Sequence, residues 1–78
     1  MSQPSLTGVL ADVFDVDPVD LVDEAGPAAI GTWTSLRHLQ LVVALEEVYG
    51  VSFSPAEIRS FKSVGDVRLV LTARGIQL

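Results

Sequence analysis

The chain has 78 residues and a mass of 8.3 kDa, so residues 1–78 are expected to form one small domain with a single modest core. Hydrophobic residues make up 49% of the chain and charged residues 19%, which is the composition of a globular protein and excludes a disordered tail. No apolar run is long enough to cross a membrane and no signal segment opens the chain, so we expect a cytoplasmic monomer. The lack of cysteine and the single histidine exclude disulfides, thiol catalysis and a zinc knuckle, and we expect no metal.

Acidic residues are concentrated in the first half of the chain. Residues 1–34 carry a formal charge of −6, because six carboxylates precede the first basic residue: Asp12, Asp15, Asp17, Asp20, Asp23 and Glu24. The other residues, five basic and four acidic, carry +1. A net charge of −5 argues against nucleic acid as a partner, since phosphates require clustered Lys and Arg. The acidic segment is either a solvated loop or a docking surface for a basic partner.

The first predicted helix is followed by a long loop. Apolar residues recur at the spacing of an amphipathic helix in Leu6, Val9, Leu10, Val13 and Phe14. This helix should end before Pro18, because proline disfavours a helical conformation in the residue that precedes it. Residues 15–34 show no sustained periodicity, and loops of this length are usually functional. We expect a helical turn at Leu21 and Val22, and four side chains that hold the loop on the core: Val19, Leu21, Val22 and Ile30.

Three further helices are predicted. The longest runs from Ser35 to Tyr49, is rich in Leu, Ala, Glu and Gln, and is closed by Gly50. A short third helix begins at Ser54, where Ser-Pro-Ala-Glu supplies a cap, a proline at the first helical position and a capping box. A fourth begins after Ser63 and ends near Gly75. The prediction is an all-α fold, a small antiparallel four-helix bundle with a long first loop and a short third helix.

The second predicted helix has two apolar stripes. One faces the bundle and consists of Leu41, Val42, Leu45, Val48 and Tyr49. The other projects on almost the opposite side, and we call it the apolar strip: Leu36, Leu39 and Val43. The strip is either a surface for a partner or ligand, or core that Ile58 and Phe61 of the third helix cover. If both hold in part, a cleft would admit a small apolar group between Leu39, Val43, Ile58 and Phe61.

Ser35 stands at the head of the apolar strip and at the entrance of the longest helix. Either Thr34 or Ser35 can cap that helix. A phosphate ester is also stabilised at such a place, by free N–H groups and by the helix dipole. Ser35 and His38 are neighbours on the helix surface, but nothing supplies an oxyanion hole or a third catalytic group, so we expect His38 to be a partly buried structural residue. Trp33 is either a loop anchor or a recognition residue.

The sequence around this serine resembles the acyl carrier protein family. Gly31-Thr32-Trp33-Thr34-Ser35-Leu36 is followed by His38-Leu39, Leu41, Ala44-Leu45-Glu46-Glu47 and Gly50-Val51, and the resemblance covers nearly the whole chain. That family has a helical bundle of this order, with a serine in an Asp-Ser-Leu motif at the start of helix two. The resemblance implies that Ser35 receives 4′-phosphopantetheine from coenzyme A, and that the terminal thiol holds an acyl group as a thioester. Such a protein carries and does not catalyse.

The resemblance also implies where partners dock on helix two: on Leu36, Arg37, Leu39, Gln40, Val43, Glu46 and Glu47. The two glutamates are expected to form a solvated edge that faces the partner. The implied partners are a phosphopantetheinyl transferase and acyl-loading or acyl-transferring enzymes such as a ketosynthase or acyltransferase. Three residues depart from the family pattern, because Thr34 replaces the usual aspartate, and Arg37 and Gln40 stand where helix two is often acidic.

The segment Trp-Thr-Ser-Leu-Arg-His-Leu is more similar to the discrete carriers of bacterial secondary metabolism than to the fatty-acid carrier. We therefore expect a free-standing acyl carrier for a polyketide, an antibiotic or a related metabolite. One alternative is a peptidyl carrier with an aminoacyl cargo. An alternative from another class is a non-catalytic helical adaptor, in which the apolar strip binds a partner helix and Ser35 is only a cap.

Overall fold

A computed structural model describes residues 5–78, which form four α-helices. They are α1 (Leu6–Phe14), α2 (Ser35–Tyr49), α3 (Pro55–Ser60) and α4 (Val64–Ala73). The described residues contain no β-strand, and the prediction of an all-α bundle with a long first loop and a short third helix is confirmed. Residues 1–4 of the predicted domain lie outside the described range. Within that range, no helix combines the length and the apolar character needed to cross a bilayer.

A side-chain hydroxyl caps the start of each α-helix. Ser5 Oγ accepts a hydrogen bond from the Gly8 N–H at 3.0 Å at the start of α1. At α3 the predicted capping box is present, because Ser54 Oγ accepts the Glu57 N–H at 3.2 Å and Glu57 Oε1 accepts the Ser54 N–H at 2.9 Å. Each such cap contributes about 1 kcal/mol to helix stability. A helix of six residues is marginal alone, so α3 depends on its caps and on packing.

The core lies between α1, α2 and α4. Its most deeply buried side chains are Leu10, Phe14, Leu41, Leu45, Phe61, Val64, Val67 and Leu71. On α2 the predicted inward stripe is confirmed, with Leu41, Val42 and Leu45 buried and the last two members half-buried. The helix ends at Gly50, which has a φ of +66°, a left-handed conformation that favours glycine.

The first loop, residues 15–34, is only partly as predicted. Leu21 and Ile30 reach the core, as expected. Val19 and Val22 do not, because the single turn of 3₁₀ helix falls at Pro18–Asp20, before the predicted position, and leaves both valines exposed.

Backbone hydrogen bonds fasten this loop to the start of α4. The Val64 N–H donates to the Ala25 carbonyl oxygen at 2.9 Å, and the Gly65 N–H donates to the Asp23 carbonyl oxygen at 2.9 Å. These bonds satisfy two of the N–H groups that a helix leaves unpaired at its N-terminus. A Cβ on Gly26 would lie 2.4 Å from the Lys62 carbonyl oxygen, so the loop can approach this closely only with glycine.

Candidate functional site

Thr34, and not Ser35, caps α2. Thr34 has an extended backbone, and its hydroxyl oxygen accepts a hydrogen bond from the Arg37 N–H at 3.3 Å. Ser35 is therefore the first residue of the helix, and its side chain is exposed. Among residues 5–78, none hydrogen-bonds to the Ser35 hydroxyl. That hydroxyl is not needed to close the helix and is open to a reagent from solvent.

The start of α2 is electrostatically suited to an anion. The first N–H groups of a helix have no intrahelical acceptor, and the helix dipole places about half a positive charge there. The first turn of α2 contains no acidic side chain. Thr34 caps the helix without adding the negative charge that an aspartate would bring. A phosphate ester on Ser35 therefore fits the residues that surround it.

A cluster of rings lies beside the serine. The Trp33 ring is 6% exposed and stacks on Phe14, with 4.7 Å between ring centroids. Its Nε1–H donates to His38 Nδ1 at 3.0 Å, and His38 Nε2 lies 2.9 Å from the Ile58 carbonyl oxygen. Because Nδ1 accepts the hydrogen bond from Trp33, and a carbonyl oxygen can only accept, Nε2 carries the hydrogen and donates it to Ile58. Both nitrogens are occupied, so His38 is structural, as predicted, and Trp33 is a loop anchor.

The apolar strip is open to solvent. Leu36 is 65% exposed, Leu39 is 60% exposed and Val43 is 53% exposed. The alternative in which α3 covers the strip is wrong. Phe61 follows the last residue of α3 and is buried in the core, where its ring meets that of Phe53 edge-on at a centroid distance of 5.2 Å. The strip is therefore surface.

Of the four residues predicted to line an acyl cleft, Leu39 and Val43 are exposed on α2, whereas Phe61 is buried in the core. Two of them belong to an open depression on α2 that is formed by Leu39, Gln40, Val43, Ala44 and Glu47. Ile58 and Phe61 do not line this depression, and the side chain of Phe61 is buried in the core. A second open depression borders the serine, and we call it the Ser35 depression: Pro27, Trp33, Thr34, Ser35, His38 and Leu39. No sequence pattern predicts Pro27 at this site, because an aperiodic loop does not reveal which of its residues meets α2.

Two of the predicted docking residues make internal contacts. The Arg37 guanidinium donates a hydrogen bond to the Val13 carbonyl oxygen near the end of α1. A Glu46 carboxylate oxygen accepts the Phe53 N–H at 2.8 Å, so the expected solvated edge is wrong for this glutamate. The connection after α2 needs an acceptor there, and Glu46 supplies it. The exposed members of the predicted set are Leu36, Leu39, Gln40, Val43 and Glu47.

Known proteins are similar to this chain in sequence and in fold, although no family model matches it. The chain is 39% identical over 59 residues to an acyl carrier protein of Thermosynechococcus vestitus, across 76% of this chain and 73% of that protein. It is 31% identical over 74 residues to the polyketide-8 synthase acyl carrier protein 2 of Streptomyces avermitilis, across 95% of this chain and 85% of that protein. The solution NMR structure of a holo acyl carrier protein from Geobacter metallireducens matches with a TM-score of 0.77 and 36% identity, across 90% of this chain and 84% of that one.

These similarities agree with the order of the helices and with the exposed serine at the start of α2. The two relatives by sequence align with most of the chain, and the holo structure matches 90% of it. An exposed hydroxyl at a helix entrance without a carboxylate suits a covalent phosphate ester. The chain belongs to the acyl carrier protein family, whose members carry acyl groups on covalent 4′-phosphopantetheine and do not themselves catalyse.

Proposed function

We propose that Ser35 is the residue to which 4′-phosphopantetheine is attached, within an acyl carrier domain that spans residues 1–78. The observation that carries this proposal is the exposed hydroxyl of Ser35 at the start of α2, which Thr34 leaves free by capping the helix in its place. When bound, the group supplies a terminal thiol that holds the acyl cargo as a thioester.

Attachment is a group transfer in which the chain supplies the nucleophile. Ser35 Oγ forms a bond to the phosphorus of coenzyme A that bears pantetheine, and the bond from that phosphorus to adenosine 3′,5′-bisphosphate breaks. The hydroxyl proton passes to the transferase. The first N–H groups of α2 then stabilise the phosphodiester, and no carboxylate in the first turn repels it.

We propose that partners dock on the exposed face of α2. The apolar strip forms the centre of this face, with Gln40 and Glu47 beside it. Exposed apolar patches with a polar border are typical of protein interfaces. Partners of this kind are the phosphopantetheinyl transferase and acyl-handling enzymes such as a ketosynthase or acyltransferase. Arg37 and Glu46 contribute indirectly, since they tie α2 to α1 and to the connection before α3.

We further propose that the carrier serves the cytoplasmic biosynthesis of a polyketide or a related secondary metabolite. The support for this role is the similarity to the Streptomyces avermitilis carrier, which extends over 95% of the chain. The mass of the thioester cargo tests it on protein purified from its own source under conditions that preserve thioesters. We expect an acyl unit, whereas an aminoacyl unit would assign the chain to peptide synthesis.

Loading of Ser35 is the first testable prediction. After incubation with coenzyme A and a broad-specificity transferase, the intact mass should rise by one phosphopantetheine group. Ser35→Ala should show no rise, because it lacks the nucleophile. Ser52→Ala, which removes another exposed hydroxyl, is the matched control and should load like the wild type. A rise in Ser35→Ala, or no rise in the wild type with any transferase, would contradict the proposal.

A further inference from the structure

We propose that the Ser35 depression binds the pantoyl part of the arm, so that the arm leaves Ser35 on the side of the first loop and not along the seam between α2 and α3. The proposal rests on the attachment at Ser35 argued above. It assigns a binding role to Pro27, Trp33 and Leu39, which the family assignment alone does not provide.

The lining of the Ser35 depression is mainly apolar and favours an apolar ligand. The depression has a volume of about 490 Å³ and begins at Ser35 itself. Trp33 is almost buried and forms its floor, while Pro27 and Leu39 are exposed and form its sides.

Apart from the attachment site at the start of α2, the side-chain rings and the capping hydroxyl around the depression already have hydrogen-bond partners. Thr34 Oγ1 accepts the Arg37 N–H, Trp33 Nε1–H donates to His38 Nδ1, and His38 Nε2 is bonded to the Ile58 carbonyl oxygen. A polar ligand would therefore find no unpaired polar atom on the Trp33 or His38 ring. An apolar group would gain contact with carbon surface and break none of these hydrogen bonds.

The seam between α2 and α3 is closed next to the serine. His38 lies three residues after Ser35, which is about one helical turn, and its Nε2 is 2.9 Å from the Ile58 carbonyl oxygen of α3. Behind this bond the His38 ring faces Phe61, with 6.2 Å between ring centroids, and Phe61 is buried. An apolar group that leaves Ser35 finds this direction blocked and the loop side open.

The pantoyl unit is the part of the arm whose chemistry matches the apolar lining of the Ser35 depression. It follows the phosphate directly and carries two methyl groups on one carbon, whereas the amide groups beyond it are polar and favour water. The depression adjoins the attachment oxygen, so the first apolar group after the phosphate is the one placed to reach it. A covalent tether raises the local concentration of this group, so a weak contact is well populated.

Proton NMR of the full-length holo protein tests the proposal, because the two methyl groups give distinctive singlets. We expect nuclear Overhauser effects from these methyls to the Trp33 ring and to the Leu39 side chain, and an upfield shift of both singlets caused by the indole ring. Contacts to Ile58 or Phe61 instead would show that the arm enters the seam. Singlets at the positions of free pantetheine, with no such effects, would show that the arm stays in solvent. Either result would overturn the proposal.

Variants of the sides of the depression sharpen the test. Leu39→Asn and Pro27→Ser should each reduce the methyl shifts at least twofold, measured on protein whose loading has first been confirmed by intact mass. Leu69→Asn is the matched control, because Leu69 is 70% exposed on α4 and outside the depression. Unchanged shifts in both variants would overturn the proposal. Failure of the wild type to gain mass would contradict attachment at Ser35, whereas a loaded protein without these contacts would contradict only the arm's position.

Discussion

His38 joins three parts of the molecule through one side chain. It lies on α2, accepts a hydrogen bond from Trp33 in the first loop, and donates one to the Ile58 carbonyl oxygen on α3. These roles require one acceptor and one donor, which a neutral imidazole provides. A glutamine amide also has one acceptor and a donor, whereas leucine has neither.

Replacement of His38 should therefore separate packing from hydrogen bonding. We expect His38→Leu to lower the free energy of unfolding by about 1–3 kcal/mol, because it leaves the Trp33 N–H and the Ile58 carbonyl oxygen without partners in a partly buried place. His38→Gln should recover at least half of the loss. Urea denaturation followed by the fluorescence of the only tryptophan measures both. Equal losses in the two variants would show that only the shape of the ring matters.

At the level of elements, α3 is tied to the end of α4 by a charged pair. Arg74 Nε donates to Glu57 Oε2 at 2.9 Å, and the Arg74 guanidinium carbon lies 5.7 Å from the centre of the Phe53 ring. Hydrogen bonds from the Arg74 side chain and from the Ser54 N–H lower the pKa of Glu57 from its usual 4.5 to about 2. The same carboxylate completes the capping box, so one side chain serves both contacts.

Acid should weaken this connection in a defined range of pH. Because the folded state lowers the pKa of Glu57, its stabilising effect is complete above pH 4.5 and is lost as the pH falls toward about 2. Glu57→Gln should therefore show a smaller decrease in unfolding free energy than the wild type across this range. Urea titrations at several pH values measure the difference, with Glu47→Gln on the exposed face of α2 as the control. Parallel decreases in the wild type and Glu57→Gln would contradict the role of the pair.

The helices could be predicted from the sequence, because their signals are local. The capping box at Ser54 and the terminal glycine at Gly50 are both as expected. Phe61 could not be placed, since the i, i+3 rule holds only inside a helix, and α3 ends at Ser60 before it. The first loop could not be placed either, because partners distant in the chain fix it, such as the Val64 N–H that donates to Ala25.

The same distinction applies to the site. Helical periodicity predicts that Leu36, Leu39 and Val43 form one stripe opposite the buried one, and the resemblance to a known family indicates Ser35. Whether the third helix covers the apolar strip could not be predicted, because the position of Phe61 after the end of α3 decides it. The choice of Thr34 as the cap depends on the backbone conformation of two neighbouring residues with equivalent hydroxyls. The internal role of Glu46 depends on where the chain places the Phe53 N–H after the helix has ended. Helical periodicity predicts neither the cap at Thr34 nor the contact of Glu46.

Over the whole molecule, charge and apolar surface lie on different elements. The exposed carboxylates are concentrated at the end of α1 and in the first loop, in Asp12, Asp15, Asp17, Asp20, Asp23 and Glu24. The docking face of α2 has the apolar strip and a single exposed carboxylate, Glu47, among the residues described. Binding at this face is therefore expected to depend on apolar contact more than on charge.

Charged substitutions in the apolar strip should impair partners more than folding. We expect Leu39→Asp and Val43→Asp each to lower the kcat/KM of loading by a transferase about tenfold, because a carboxylate would be desolvated at the interface. The free energy of unfolding should fall by under about 1 kcal/mol, since both positions are exposed. Loading rates and urea denaturation measure the two effects, with Leu69→Asp on α4 as the control. A collapse of helicity would show that the strip is core.

The assignment of Ser35 is tested most sharply by fragmentation of the loaded chain in a mass spectrometer. After loading with coenzyme A and proteolysis, fragment ions should place one phosphopantetheine on Ser35, and none on Thr34 or on another hydroxyl. Phosphopantetheine on Thr34 or on any other residue, with Ser35 unmodified, would contradict attachment at Ser35. It would also contradict the roles proposed for the Ser35 depression and for the docking face of α2, because both depend on that attachment.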